Sequence, residues 1–125
     1  YDATKTSTSF GAYHDEGDSA AAVGYETSFD LAQSTSAQIL GIGGSIGNGN
    51  DESLSGTLKL FNPSSTTFVK HYISNIHFYN KDDYAINSFI GGYCNVTAAI
   101  DGVQFAMSSG NIDAGTIELY GIKDA

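Results

Sequence analysis

The sequence predicts an all-β chain: an antiparallel two-sheet β-sandwich of jelly-roll-like outline, preceded by an extended N-terminal arm. Three observations carry that expectation. The composition joins 8 Tyr and 7 Phe to 15 Gly and 15 Ser with a single Pro, a mixture that fits pleated, half-buried strands joined by turns. Apolar residues recur with period two in several stretches, the mark of strands with one covered face. Clusters of Asn, Gly, Ser and Asp separate those stretches, and helix signals are weak throughout. A chain of 125 residues is of one-domain size and can bury roughly two-thirds of the surface its unfolded form exposes. The expected division is an arm over residues 1–21 and a sandwich domain over 22–125.

Residues 1–21 are small, polar and weakly periodic, with Phe10 and Tyr13 as the sizeable apolar anchors; they read as an arm, loose when isolated and laid over a neighbour in an assembly. From Val23 the alternation Val23, Tyr25, Thr27, Phe29, Leu31 against Gly24, Glu26, Ser28, Asp30 predicts a strand over 22–31. The run 38–42 is apolar and of strand length, and 43–53, with Asn48-Gly49 and Asn50-Asp51, is an exposed connection. A further strand carries Leu54, Leu58 and Leu60 and ends before Pro63. Residues 66–79 are apolar on both parities, with Phe68, Tyr72, Ile76 and Phe78 on one and Val69, Ile73 and Tyr79 on the other. That pattern suits a strand between a core and a second layer or subunit. A polar turn at 80–83, a strand over 84–93, a strand over 100–107, a Ser-Ser-Gly-Asn turn and a closing strand over 112–122 complete the expectation. The sequence has no convincing internal repeat.

Charge and cysteine content exclude several function classes. There are 14 Asp and Glu against five lysines (Lys5, Lys59, Lys70, Lys81, Lys123) and no arginine, for a formal charge of −9. Without guanidinium forks or clustered lysines, nucleic acid is not an expected partner. An anionic membrane surface would repel the chain, and no apolar run approaches the ~20 residues of a spanning helix. Cys94 stands alone, so no intrachain disulfide and no cysteine-based zinc site is expected. The chain starts at Tyr1 with no basic-then-apolar segment, which reads as a processed or trimmed product of a longer gene.

Chemistry-bearing residues are present without a catalytic pattern. Gly41, Gly43 and Gly44 follow an apolar run, but Ile46 stands where the dinucleotide pattern needs its third glycine and no P-loop lysine follows. His14, Asp15, Glu16 and Asp18 gather donors in what reads as a solvated tail. Asn48, Asn50, Asp51 and Glu52 offer hard oxygens without EF-hand spacing, so a turn using its own Asx chemistry is the better reading than calcium. His71 and His77 share a strand parity about 20 Å apart at ~3.3 Å per residue, too far for one metal. No serine lies in a G-x-S-x-G elbow. Glu26 and Glu118 occupy outward strand positions rather than a paired-carboxylate cleft. Asn95-Val96-Thr97 matches the glycosylation pattern by chance, and Cys94 reads as a buried small hydrophobe. No catalytic residue, no metal and no cofactor is expected.

The C-terminal third is the distinctive part: SFIGGY at 88–93, NVTAAIDGVQF at 95–105 and SSGNIDAGTIELYGI at 108–122. This stretch resembles tailed-bacteriophage virion proteins, a loose group that includes capsid decoration or cement proteins and tail-fibre or appendage modules. The resemblance covers residues 54–125 at most. It implies a non-enzymatic virion structural protein on the capsid or tail surface, a homotrimer whose partners are identical subunits and the major capsid protein. The leading expectation is head decoration through spread contacts, with Phe10, Tyr13, Tyr72 and Tyr79 as subunit-contact candidates. The alternative is a tail-fibre or spike module in which tyrosines stack on a host-surface glycan; a small carbohydrate-active enzyme is a third and weaker alternative.

Overall fold

The computed structural model describes residues 2–122. Among them there is no helix, and six strands form one antiparallel sheet: β1 (Lys5–Asp15), β2 (Ala21–Tyr25), β3 (Leu31–Ser34), β4 (Leu54–Leu60), β5 (Lys70–Tyr79) and β6 (Tyr84–Cys94). The order across the sheet is β2-β1-β6-β5-β4, with β3 pairing to the other end of β1. The all-β, antiparallel expectation therefore holds.

The centre of the sheet is where the alternation is cleanest. In β5, Lys70, Tyr72, Ser74, Ile76 and Phe78 are buried while His71, Ile73 and His77 are exposed. In β6, Ile86, Ser88, Ile90 and Cys94 are buried. The two strands form a hairpin from Lys70↔Cys94 to Tyr79↔Ala85. Its turn is fixed by Asn80, whose Oδ1 accepts the N–H groups of Asp82 and Tyr84 at 3.0 Å each, and by Asp83 in the left-handed region at φ 64°.

Residues 5–15 are not an arm. They form β1, paired along its whole length with β6, from Lys5↔Cys94 to Asp15↔Tyr84. The inward parity carries Ser7, Ser9 and Gly11, all buried, and then Tyr13, which stays exposed, so the strand lies inside the sheet without burying a single large apolar residue. Gly11 is needed there: a Cβ would run into Ile42 Cδ1 and come within 2.9 Å of the Asn87 carbonyl. Gly92 acts likewise on β6, where a Cβ would lie 2.6 Å from Tyr72 Oη and 2.7 Å from the Thr6 carbonyl.

Other boundaries move for local reasons. The strand expected over 22–31 stops at Tyr25, because a turn between Glu26 and Phe29 (N–H to carbonyl, 3.1 Å) rolls Phe29 onto the core before β3 begins. The strand expected from residue 66 starts at Lys70, because Ser65 Oγ accepts the N–H groups of Thr67 (3.2 Å) and Phe68 (3.0 Å) and holds them off the ladder.

One face of the sheet is covered and the other is open. On the covered face, Ile42, Tyr72, Ile90 and Cys94 cluster with Phe29, Leu40, Leu58, Leu60, Val96 and Ile100, and Ile76, Phe78 and Ile86 cluster with Leu40, Ile46 and Tyr84. The cover is irregular chain, not a second sheet. Residues 38–42, expected as a strand, cross the sheet as a strap instead, held by the Ile42 N–H donating to Ser88 Oγ at 3.0 Å and the Gln38 amide donating to the Phe29 carbonyl at 2.9 Å. The strands expected over 100–107 and 112–122 are not formed: every residue from 101 to 122 is exposed and none is in a strand. Burying each large side chain of the two clusters stabilises by about 1.5–3 kcal/mol, whereas Leu119 and Ile122, almost wholly exposed, contribute nothing of this kind.

Candidate interaction surface

The open face is built from the outward parity of five strands. The register places Tyr25, Phe10, Phe89, Asn75 and Thr57 in one row across β2, β1, β6, β5 and β4. Phe10 and Phe89 stack with ring centroids 4.9 Å apart and planes 9° from parallel. Tyr25 adjoins Phe10, and its hydroxyl donates to Asp30 Oδ2 at 2.7 Å, a bond that raises the phenol above its ordinary pKa. The flanking rows carry Val23 and Ala12 on one side and Ile73 on the other. Phe10, Tyr25, Val23 and Ile73 are all exposed.

Amide groups frame these rings. Asn75 Nδ2 donates to Asn87 Oδ1 at 2.9 Å. At the far end, Gln33 donates through Nε2 to Thr6 Oγ1 (2.7 Å) and to Tyr93 Oη (3.1 Å), while its Oε1 accepts from Asn95 Nδ2 (2.8 Å). The Tyr93 ring packs against His71 at 6.0 Å. Among the described residues, the strands carry no carboxylate on this face, although the chain has 14 acidic residues; its three histidines and Lys59 all lie there. The strands thus present an aromatic surface without carboxylates of their own, while Asp30, Asp18 and Asp83 from the connections reach Tyr25, His14 and Tyr79 at its margin.

The sequence-predicted contact residues do not converge. Phe10 is on the open face, 45% exposed. Tyr13 is exposed on the opposite side, edge-on to Tyr84 at 5.5 Å, where it lines a shallow apolar hollow of about 220 Å³ with Gly11, Ala22, Ile42 and Ile86. Tyr72 offers no surface: it is 6% exposed in the core, with its hydroxyl donating to Gln38 Oε1 at 3.1 Å. Tyr79 is half-buried, and desolvation followed by the hydrogen bond to Asp83 Oδ1 (3.0 Å) pushes its phenol far up. Tyr25, Phe89, Tyr93 and Ile73 were missed. Period two in β6 put Phe89 and Tyr93 on one parity, but their partner Phe10 was hidden in a segment read as an arm.

The remaining donor groups serve local structure. Glu52 Oε2 accepts the Gly49 N–H at 2.5 Å, closing the 49–52 turn. His14 Nε2 lies 3.1 Å from Asp18 Oδ1 in an exposed pair. The Cys94 thiol is buried, and desolvation raises its pKa. Among the described residues no group of three His, Cys, Asp or Glu is placed to hold a metal ion, and no helix is long and apolar enough to cross a membrane.

A second exposed apolar element is the segment 101–122. Val103, Phe105, Met107, Ile112, Ile117, Leu119, Tyr120 and Ile122 all face solvent, Leu119 at 97% and Ile122 at 99%. The chain is anchored just before it. The Lys70 side chain, 0% exposed, spends its three N–H donors on the carbonyls of Val96 (3.3 Å), Thr97 (2.7 Å) and Ala98 (2.6 Å), and the Ile100 N–H donates to the Pro63 carbonyl at 2.8 Å. Compared with protein-family models, characterised proteins and solved structures, the chain matches none.

Proposed function

We propose that the protein is a non-catalytic structural module of a virus particle that works through subunit contacts, as a capsid decoration or cement protein. The observation that carries this reading is the amount of apolar chain left in water. A monomer rarely leaves a contiguous apolar surface of more than a few hundred Å² uncovered, and here both the open aromatic face and the alternating segment 101–122 are exposed. Spread surfaces of this kind gain affinity by repetition across an assembly. In this reading the two-layered, jelly-roll-like sandwich is completed by assembly, with 112–122 becoming a strand on joining a neighbour, and identical subunits and the capsid shell are the partners. The net charge of −9 suits an external position that must not adhere to packaged nucleic acid.

The test is labelling of particles that contain the chain, with the label in the exposed 43–53 loop. Electron microscopy should find it repeated over the head; label confined to the tail, or on no particle, would overturn the decoration role.

A second reading, a tail-fibre or spike module that binds host-surface glycan, is favoured by one specific observation: the Phe10–Phe89 stack bordered by the Asn75 and Asn87 amides. Aromatic faces with an amide pair beside them are groups a sugar ring would use. Under that reading Phe10→Ala abolishes retention on an immobilised glycan panel; under the decoration reading no glycan is retained.

A further inference from the structure

Strand β4 ends the sheet, paired on one side with β5 and without a strand neighbour on the other among the described residues. Such an edge presents unpaired backbone groups and accepts another strand. The row of Leu58 and Leu60 at the margin of the core is half-buried, and Leu54 is exposed, so the apolar layer stops abruptly at this edge. The same chain holds a segment with the alternation of a strand and, among the described residues, no strand partner: Ile117, Leu119 and Gly121 against Glu118, Tyr120 and Ile122.

We infer that residues 117–122 of one copy add to the β4 edge of a second copy as an antiparallel strand, with Glu118 opposite Lys59. The register is selective. With Glu118 opposite Lys59, Ile117 meets Leu60, Leu119 meets Leu58, Gly121 meets Gly56, Tyr120 meets Thr57 and Ile122 meets Ser55. Apolar residues extend the covered layer, and the single acid of the added strand meets the single base of β4. A shift by two residues either way keeps the faces but parts the ion pair, and a shift by one turns Ile117 and Leu119 to the open face. The antiparallel sense continues a sheet that is antiparallel throughout. The opposite edge, β2, carries no charged residue to meet Glu118.

A second copy is the occupant because the donor's own segment is exposed along its whole length rather than folded back onto its own β4. Charge complementarity makes the edge and the segment mutual partners, so each copy both gives and receives a strand. Reciprocal exchange doubles the contact, and a head-to-tail series closes into a ring where the rotation allows.

This inference rests on the assembly reading, and the experiment separates the two failures. In a Cys94→Ala background, Thr57→Cys chains and Tyr120→Cys chains are mixed and treated with a short bismaleimide, while sedimentation velocity follows the parent chain. The expected result is a covalent heterodimer from the mixture, little product from either variant alone, and an associating parent. Lys59→Glu should weaken association severalfold, and mixing Lys59→Glu with Glu118→Lys chains should restore it. An associating parent without cross-link overturns the exchange and leaves the assembly reading standing. Cross-linking within single chains that carry both cysteines, and none between chains, shows that the segment closes on its own edge and overturns the exchange. A parent that stays monomeric at all concentrations overturns both.

Discussion

Ser9 and Ser74 lie opposite Ile90 on its two neighbouring strands, fully buried, and among the described residues their hydroxyls have no hydrogen-bond partner. A buried hydroxyl without a partner costs about 1–3 kcal/mol. Ser9→Ala and Ser74→Ala should therefore be neutral or stabilising by about 1 kcal/mol in urea unfolding. Ser88→Ala should destabilise by a similar amount, since Ser88 Oγ accepts the Ile42 N–H that holds the strap. Asp15 titrates with a definite sign. Ser19 Oγ (2.5 Å) and the Ala20 N–H (2.7 Å) bond its carboxylate and lower its pKa. A carboxyl depressed in the folded state adds stability above its unfolded pKa and loses it as pH falls through the folded one. Acid titration of stability should therefore show a component below the usual aspartate range that Asp15→Asn removes. At this scale the sequence was legible for Cys94, whose apolar neighbours placed it in the core. It was misleading for Tyr72, because residues 66–79 are apolar on both parities and the alternation alone does not say which face is covered.

The β5–β6 hairpin and β4 were readable because their alternation involves large apolar side chains and their ends carry Asn, Asp and Pro. Strand β1 was not readable, since its inward residues are Ser7, Ser9 and Gly11 and polar small residues leave no hydrophobic period. Its strand character comes from being flanked by β6 and β2, a tertiary cause that no local window contains. The expected strands over 100–107 and 112–122 have the period but lack a neighbour to pair with, and period alone does not make a strand. The element that sets their starting point is the Lys70 ammonium and its three carbonyls. Lys70→Met keeps the stem's bulk and removes the donors, so it should cost about 2 kcal/mol. Amide hydrogen exchange should also speed up at residues 95–100 while the β1–β6 ladder stays protected; unchanged exchange there would contradict the anchoring role.

For the whole molecule, the decisive contrast is between an acidic exterior and two uncovered apolar features, the open face and the C-terminal segment. A net charge of −9 makes single chains repel one another, and the proposed assembly has to overcome that repulsion through contact area. Association should therefore strengthen with added salt, which screens exposed charges at separations beyond about 8 Å near physiological ionic strength. An interface held chiefly by ion pairs, rather than by apolar contact with the single Glu118–Lys59 pair, would weaken instead, which sedimentation at two salt concentrations distinguishes. The most direct measurement is amide hydrogen exchange at residues 116–122 across a range of protein concentrations. Protection should grow with concentration, as the segment passes from exposed chain to an added strand. Exchange at the unprotected rate at every concentration would contradict it.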